Sequence, residues 1–393
     1  MQTQTQQRIV RAGLLIMLGV VLGFSGGYIL RTEKRDFSFG DSDTGLYASG
    51  DNQQKGFEHS KLEISEMVLD WIEGVQDERG VYPYGVSCDA QGSCTTTKDN
   101  RVGILTLWAW YKHYEVTGDE SDVAVIESGL KTYLDESTVP LVQSHFWGCT
   151  SLYEMADSGL FDASIEDDAH ALCNRIMYDP VYTDLVAGVV RTGIVPTLPL
   201  AGLTDGRKDA LILTMEQNSL YELSVYVSDF VAKYQWDHNV DDLNRAKGLL
   251  NKAAELYKRE IADGKYFGPM YECTMGVGAL DVYKVTDEQI YLDTAESLFD
   301  ESPILSSRRL DGKSVCGYFA GRLADTTGDP DYSAAEDELD RSLIANMFDY
   351  EGYEGLNLGL GSFRTINTDK ALYGVFENCV IAGHFLSEEL DEQ

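Results

Sequence analysis

Along residues 108–130 the chain runs from an apolar, aromatic stretch through a Thr-Gly-Asp turn into a second segment with Ala and Leu on one face. Residues 279–299 (ALDVYKVTDEQIYLDTAESLF) and 319–343 (FAGRLADTTGDPDYSAAEDELDRSL) repeat that order. Apolar positions three and four apart predict helices, and self-similarity at a period of roughly 40–50 residues predicts stacked helical hairpins. Gly118 and Gly328 can take the left-handed conformation that ends a helix. Asp119 and Asp329 then stand where a side-chain oxygen caps the next helix, and Pro330 suits its first turn. Two weaker copies lie at 148–178, with a turn around Phe161–Ser164, and at 215–262, with a turn around Trp236–Asn239. Unpaired helical pattern remains at 58–76 and 368–388. If those two segments pair, six hairpins close into a ring.

The cadence read as Trp110–Asp122, Tyr283–Ala295 and Leu323–Ala335 resembles the six-hairpin glycosidase superfamily, whose fold is an all-α (α/α)6 toroid. The resemblance covers roughly 58–388. It implies inner helices that run parallel, with their starts and the loops leading into them gathered at one mouth. Related toroids include glycosidases, polysaccharide lyases, sugar epimerases, terpene cyclases and lanthionine cyclases, so the resemblance alone leaves the reaction open.

The pattern divides the chain into a short tail (1–11), an uncharged apolar span (12–30), a polar tether rich in Asp, Gly, Ser and Gln (31–57) and the toroid (58–393). Ala12–Leu30 has the length of one membrane-spanning helix. No Ala-x-Ala-like cleavage site follows it, so an uncleaved anchor is expected in preference to a cleaved signal peptide, with the ring outside the cytoplasm. Arg8 and Arg11 before the span, against Arg31, Lys34 and Arg35 after it, do not fix orientation. Residues 179–210 break the cadence and read as an insertion.

Net charge changes the list of partners. A net charge of −34 argues against nucleic acid as a partner, because phosphate backbones require a basic face. A uronate polymer would need a local basic cluster, and Arg308-Arg309 with Lys313 is the candidate; a small or neutral substrate is easier to reconcile with the charge. Of the seven cysteines, Cys88 and Cys94 flank a short Gly-containing loop and are expected to form a disulfide, an extracytoplasmic feature. Cys149, Cys273 and Cys316 fall near inner-helix starts, where small buried thiols pack well. Lanthionine cyclases hold zinc at such a mouth, but this chain has Gly317 after Cys316 where their histidine would stand. None of the six histidines pairs with another at helical ligand spacing, so neither metal nor cofactor is expected.

The loops leading to the mouth are aromatic: GVYPYGVSC, VQSHFWGC and GKYFGPMYEC. Tyr82, Tyr84, Trp147 and Tyr271 would offer flat faces on which sugar rings stack, with His145 and Arg309 beside them. Glycosidic cleavage needs two carboxyls flanking the scissile bond. Glu272, at an inner-helix start among aromatics, is the expected general acid, with Asp89, Asp99 and Glu354 as partner candidates. Glu154, Glu216, Glu351 and Asp369 are the other carboxylates predicted at the mouth. The expected function is a membrane-anchored, extracytoplasmic carbohydrate-active protein of glycoside hydrolase type. A lyase or epimerase acting on uronates would instead use Tyr82, Tyr84, Tyr271 or His145 as base, with Arg101 or Arg309 on the substrate acid. A non-catalytic glycan-binding or scaffold domain is the third reading.

Overall fold

Each repeated turn closes a helical hairpin. The structure is a computed structural model and describes residues 59–89, 94–96, 102–134, 147–161, 163–178, 223–262, 269–306, 310–347 and 370–391. Its helices in chain order are α1 (Lys61–Gly74), α2 (Gly103–Thr117), α3 (Glu120–Leu134), α4 (Gly148–Asp157), α5 (Ala163–Tyr178) and α6 (223–237). They continue with α7 (Val240–Ala262), α8 (Met270–Thr286), α9 (Gln289–Glu301), α10 (Leu310–Thr327), α11 (Pro330–Met347) and α12 (Val375–Asp391). Consecutive helices α2/α3, α4/α5, α8/α9 and α10/α11 pack as pairs, α6 meets α7 through His238–Asn239, and α12 returns to pack on α1.

The turns share one chemistry. Thr117, Thr286 and Thr327 each donate a hydroxyl to the carbonyl four residues back, on His113, Val282 and Leu323. The same oxygens accept the N–H groups of Asp119, Glu288 and Asp329. Between them sit Gly118, Asp287 and Gly328, all at positive φ (70°, 57° and 69°). Asp119 and Asp329 then cap Ser121 N and Asp331 N at 2.9 Å, which starts the return helix.

Burial separates two layers. Gly103–Tyr111 of α2 and Tyr271–Leu280 of α8 are buried at every position. Helices apolar all round belong inside. The even-numbered helices form the inner ring. α12 packs on α2, α2 on α4, α8 on α10 and α10 on α12; Thr150 joins α4 to Asp229 of α6, and Gly278 of α8 lies against Val227. Helices α3, α5, α7, α9, α11 and α1 lie outside them. Helix α1 does lie beside the C-terminal helix, as the unpaired segments predicted.

The C-terminal helix begins later than 368. Residues Lys370–Gly374 are a strand, β3, which joins β1 (Gly85–Asp89) and β2 (Cys94–Thr96) in an antiparallel sheet of order β2-β1-β3. The pairing is long-range, so local periodicity did not show it. β3 runs straight into α12, so the sheet stands at the end of the ring where inner helices start.

Two disulfides replace the expected buried thiols. Cys149 of α4 bonds Cys173 of α5, and Cys273 of α8 bonds Cys316 of α10, with Cα separations of 5.5 and 5.1 Å. Cys379 is free and buried. Cys88 and Cys94 are register partners of β1 and β2. Residues 1–58, including Ala12–Leu30, lie outside the described residues; among the described residues no helix is long and apolar enough to cross a membrane.

Candidate functional site

All six inner helices contribute to one axial cavity of about 430 Å³, counting its opening to solvent. Its wall is partly aromatic and partly ionisable, and the helical period explains both. Residues four apart share a face, and Trp108/Lys112, Thr150/Glu154, Val277/Asp281 and Tyr318/Arg322 are four such pairs. The earlier member of each lies nearer the mouth. The later member is ionisable and lies deeper, towards the hairpin turns.

Glu154 is the most open of the cavity's acids, with 38% of its side chain exposed. Its two oxygens are held separately: Trp108 Nε1 donates to one at 2.7 Å, and Lys112 Nζ lies 2.5 Å from the other. Burial disfavours the Lys112 charge, yet Glu154 and Glu115 together raise its pKa. Opposite, Arg322 Nη2 pairs with Asp281 Oδ1 at 2.5 Å and stacks 5.5 Å over Tyr318. Tyr318 in turn meets Trp108 edge-on at 6.4 Å. Two opposed ion pairs, each backed by an aromatic ring, therefore line the deeper part of the axis.

A third carboxyl stands behind this wall. Asp229 follows the cavity-lining Ser228 on α6 and accepts from Thr150 N at 2.8 Å and Thr150 Oγ1 at 2.9 Å. Burial raises its pKa to about 7 against these bonds, and the Asp281 charge pushes the same way. Near neutral pH the site thus combines a carboxyl poised to hold a proton with two that face cations, a division that suits acid–base work.

The residues expected from sequence fall in several places. Trp147 lines the cavity, in a left-handed conformation (φ 47°) just before α4. It stacks on Phe376 at 6.0 Å, and Phe376 stacks on Tyr84 at 6.4 Å, giving an aromatic column at the mouth. Tyr82 is not part of that face. It is buried behind the ring wall, where its N–H donates to the Tyr133 hydroxyl of outer helix α3. Tyr271 is buried at the start of α8 and is absent from the cavity lining. Glu272 is 1% exposed and accepts a 2.6 Å bond from Tyr257 of outer helix α7. Its side chain points away from the axis because, at the start of α8, that face packs on α7. Asp89 ends β1. Asp99, His145, Glu216, Arg309, Glu351, Glu354 and Asp369 lie outside the described residues. Lys313, the third member of the expected basic cluster, is buried and donates to Ser342 of α11.

Lys112, Asp229, Asp281 and Arg322 escaped sequence reasoning. The available signal was an ionisable residue within an inner helix, four residues after an aromatic one for Lys112 and Arg322 and after a valine for Asp229 and Asp281.

No protein-family profile matches the sequence, and no curated protein does. The structure is similar to that of a GH76 α-1,6-mannanase of Salegentibacter sp., solved as an inactive variant with α-1,6-mannotriose. Identity is 15% with TM-score 0.54, over 84% of this chain and 100% of the mannanase. A GH76 α-mannanase of Bacteroides thetaiotaomicron gives 13% and 0.56 over 87% and 98%. A cellobiose 2-epimerase of Bacillus thermoamylovorans gives 12% and 0.50 over 86% and 98%. The fold is that of the six-hairpin (α/α)6 toroids.

Proposed function

We propose that this protein is an extracytoplasmic carbohydrate-active enzyme of glycoside hydrolase type whose sugar-binding site is the axial cavity. The observation that carries the reading is the cavity wall itself, in which Trp108, Trp147 and Tyr318 stand with Glu154, Asp281 and Arg322 on a common axis. Aromatic faces suit the apolar side of a sugar ring, and paired carboxylates and cations suit its hydroxyls. Enzymes of the same fold that act on mannans or epimerise cellobiose support the substrate class. Two disulfides support an oxidising compartment, and Ala12–Leu30 supports membrane anchoring.

In this reading Glu154 faces the sugar, with Trp108 and Lys112 fixing its orientation. Asp229 is the proton-holding partner, relayed through the Thr150 and Ser228 side of the wall. Asp89, Asp99 and Glu354 remain proposed contributors from the mouth. Glu272 is proposed as the comparison carboxyl, since its bond to Tyr257 gives it a packing role.

A panel of mannan, glucan and uronate oligosaccharides, followed by reducing-sugar release and ultraviolet absorbance, tests the reading. Release of reducing ends that is lost in Glu154→Gln and retained in Glu272→Gln supports it. Loss in Glu272→Gln at unchanged stability would return the acid to Glu272. An unsaturated product would point to a lyase, and retention of ligand without turnover to a binding domain.

A further inference from the structure

A second ionisable cluster is buried where the ring closes, outside the axial cavity. His384 of α12 is 3% exposed and faces outward between α1 and α11. Its Nε2 lies 3.3 Å from Asp340 Oδ1 and 3.5 Å from Glu336 Oε1, both on α11. Glu388, one turn further along α12, brings its carboxylate to the same point. Donor atoms of Glu336, His384 and Glu388 all lie within 4.8 Å of one another. Lys61 of α1 bonds the far oxygens, Asp340 Oδ2 at 2.6 Å and Glu388 Oε2 at 2.5 Å. His384 Nε2 and Asp340 Oδ1 are both buried and face each other at 3.3 Å without a well-aligned hydrogen bond.

We propose that His384, Glu336 and Glu388 form a binding site for a divalent transition cation of the zinc class, with Asp340 beside them and Lys61 holding the carboxylates in place. Charge is the first reason. Three carboxylates, those of Glu336, Asp340 and Glu388, converge with the His384 ring on the single ammonium of Lys61 in a largely buried space. Carboxylates crowded there need cations or protons to be tolerated, and a divalent cation can take that place.

Donor chemistry and spacing are the second reason. An imidazole nitrogen with carboxylate oxygens is a zinc-type set. Donors at about 2.0–2.2 Å from a tetrahedral ion stand roughly 3.3–3.6 Å from each other; His384 Nε2 and Glu336 Oε1 are 3.5 Å apart, and the Glu388 donor lies within 4.8 Å of both. The third reason is access. Gly317 and Gly321 of α10 form the adjoining wall, and because a Cβ on Gly321 would lie 2.1 Å from Glu336 Oε1 and 3.3 Å from His384 Cε1, the glycine is what lets the Glu336 carboxylate lie beside His384. Glu336 and Glu388 are partly open to solvent, with 13% and 26% of their side chains exposed, which gives an ion a way in. Bound there, the cation would tie the last inner helix, α12, to outer helix α11, while Lys61 carries the link to α1.

The test loads purified protein with Zn²⁺ or Co²⁺, removes free metal by dialysis and measures metal per chain. About one ion per chain is expected, with the visible absorption of low-symmetry Co²⁺ in the cobalt form. Glu388→Gln lies at the solvent edge and should keep the fold, checked by circular dichroism, while weakening binding about tenfold or more. His384→Asn should abolish binding, and Glu154→Gln in the axial cavity should leave it unchanged. No stoichiometric uptake by wild type would overturn the site. So would uptake unaffected by both Glu388→Gln and Glu336→Gln.

Discussion

A single carboxyl can show whether the axial cavity is chemically active. Glu154→Gln preserves shape and the Trp108 contact but removes the charge that Lys112 faces. If Glu154 acts in proton transfer, the rate should fall by about 10²–10⁴-fold with little change in binding, as single-turnover assays would show. Asp229 gives a different readout. Its folded pKa of about 7 lies above the ordinary 3.8, so between those values the folded state holds more protons than the unfolded chain. Asp229 therefore costs stability as pH rises from about 4 to 7, up to a few kcal/mol. Asp229→Asn keeps an acceptor for Thr150 and removes the penalty. Its stability relative to wild type should climb across that window and level off above it, and parallel denaturant curves for the two proteins at the same pH would sink the assignment.

Among the elements, glycines of opposite role make opposite predictions. Gly328 holds φ at 69° in the turn between α10 and α11, and Gly328→Ala should cost about 1–2 kcal/mol for forcing a side chain into left-handed backbone. Gly248 sits inside α7 with nothing within 4 Å of an added Cβ, so Gly248→Ala should stabilise by about 0.5–1 kcal/mol. Gly276 is different again. A Cβ there would meet Phe319 Cζ at 2.0 Å, because α8 and α10 approach closely. Gly276→Ala should cost about 1–3 kcal/mol, measurable as a shifted denaturation midpoint.

The whole ring depends on contacts within and between its hairpins. Disulfides Cys149–Cys173 and Cys273–Cys316 close 24- and 43-residue separations. Reducing both should lower the melting temperature, with each bond contributing about 2–4 kcal/mol; an unchanged melting curve under full reduction would contradict their structural role. Ring closure rests on α1 and α12, where Ser65 Oγ reaches Ala382 O at 3.4 Å and Lys61 spans Asp340 and Glu388.

The hairpins were legible because their determinants are local. A Thr hydroxyl and a residue at positive φ are adjacent at three of the turns, an Asp cap follows at two of them, and α2 and α8 announce themselves as inner helices by long apolar runs. The two terminal helices were legible as unpaired halves for the same reason. The site was not legible in that way. Glu272 and Glu154 look alike in sequence, both acidic and both near aromatics at inner helices, yet one meets Tyr257 on α7 and the other faces the axis. A carboxyl's direction depends on its helix's rotation about its own axis, which packing against neighbours sets. The partners of Cys149 and Cys273, the pairing of β1 with β3, and the meeting of Lys61 with Asp340 and Glu388 were likewise decided in tertiary structure. Each joins residues whose separation along the chain carries no local signal, so only closure of the ring brings them together.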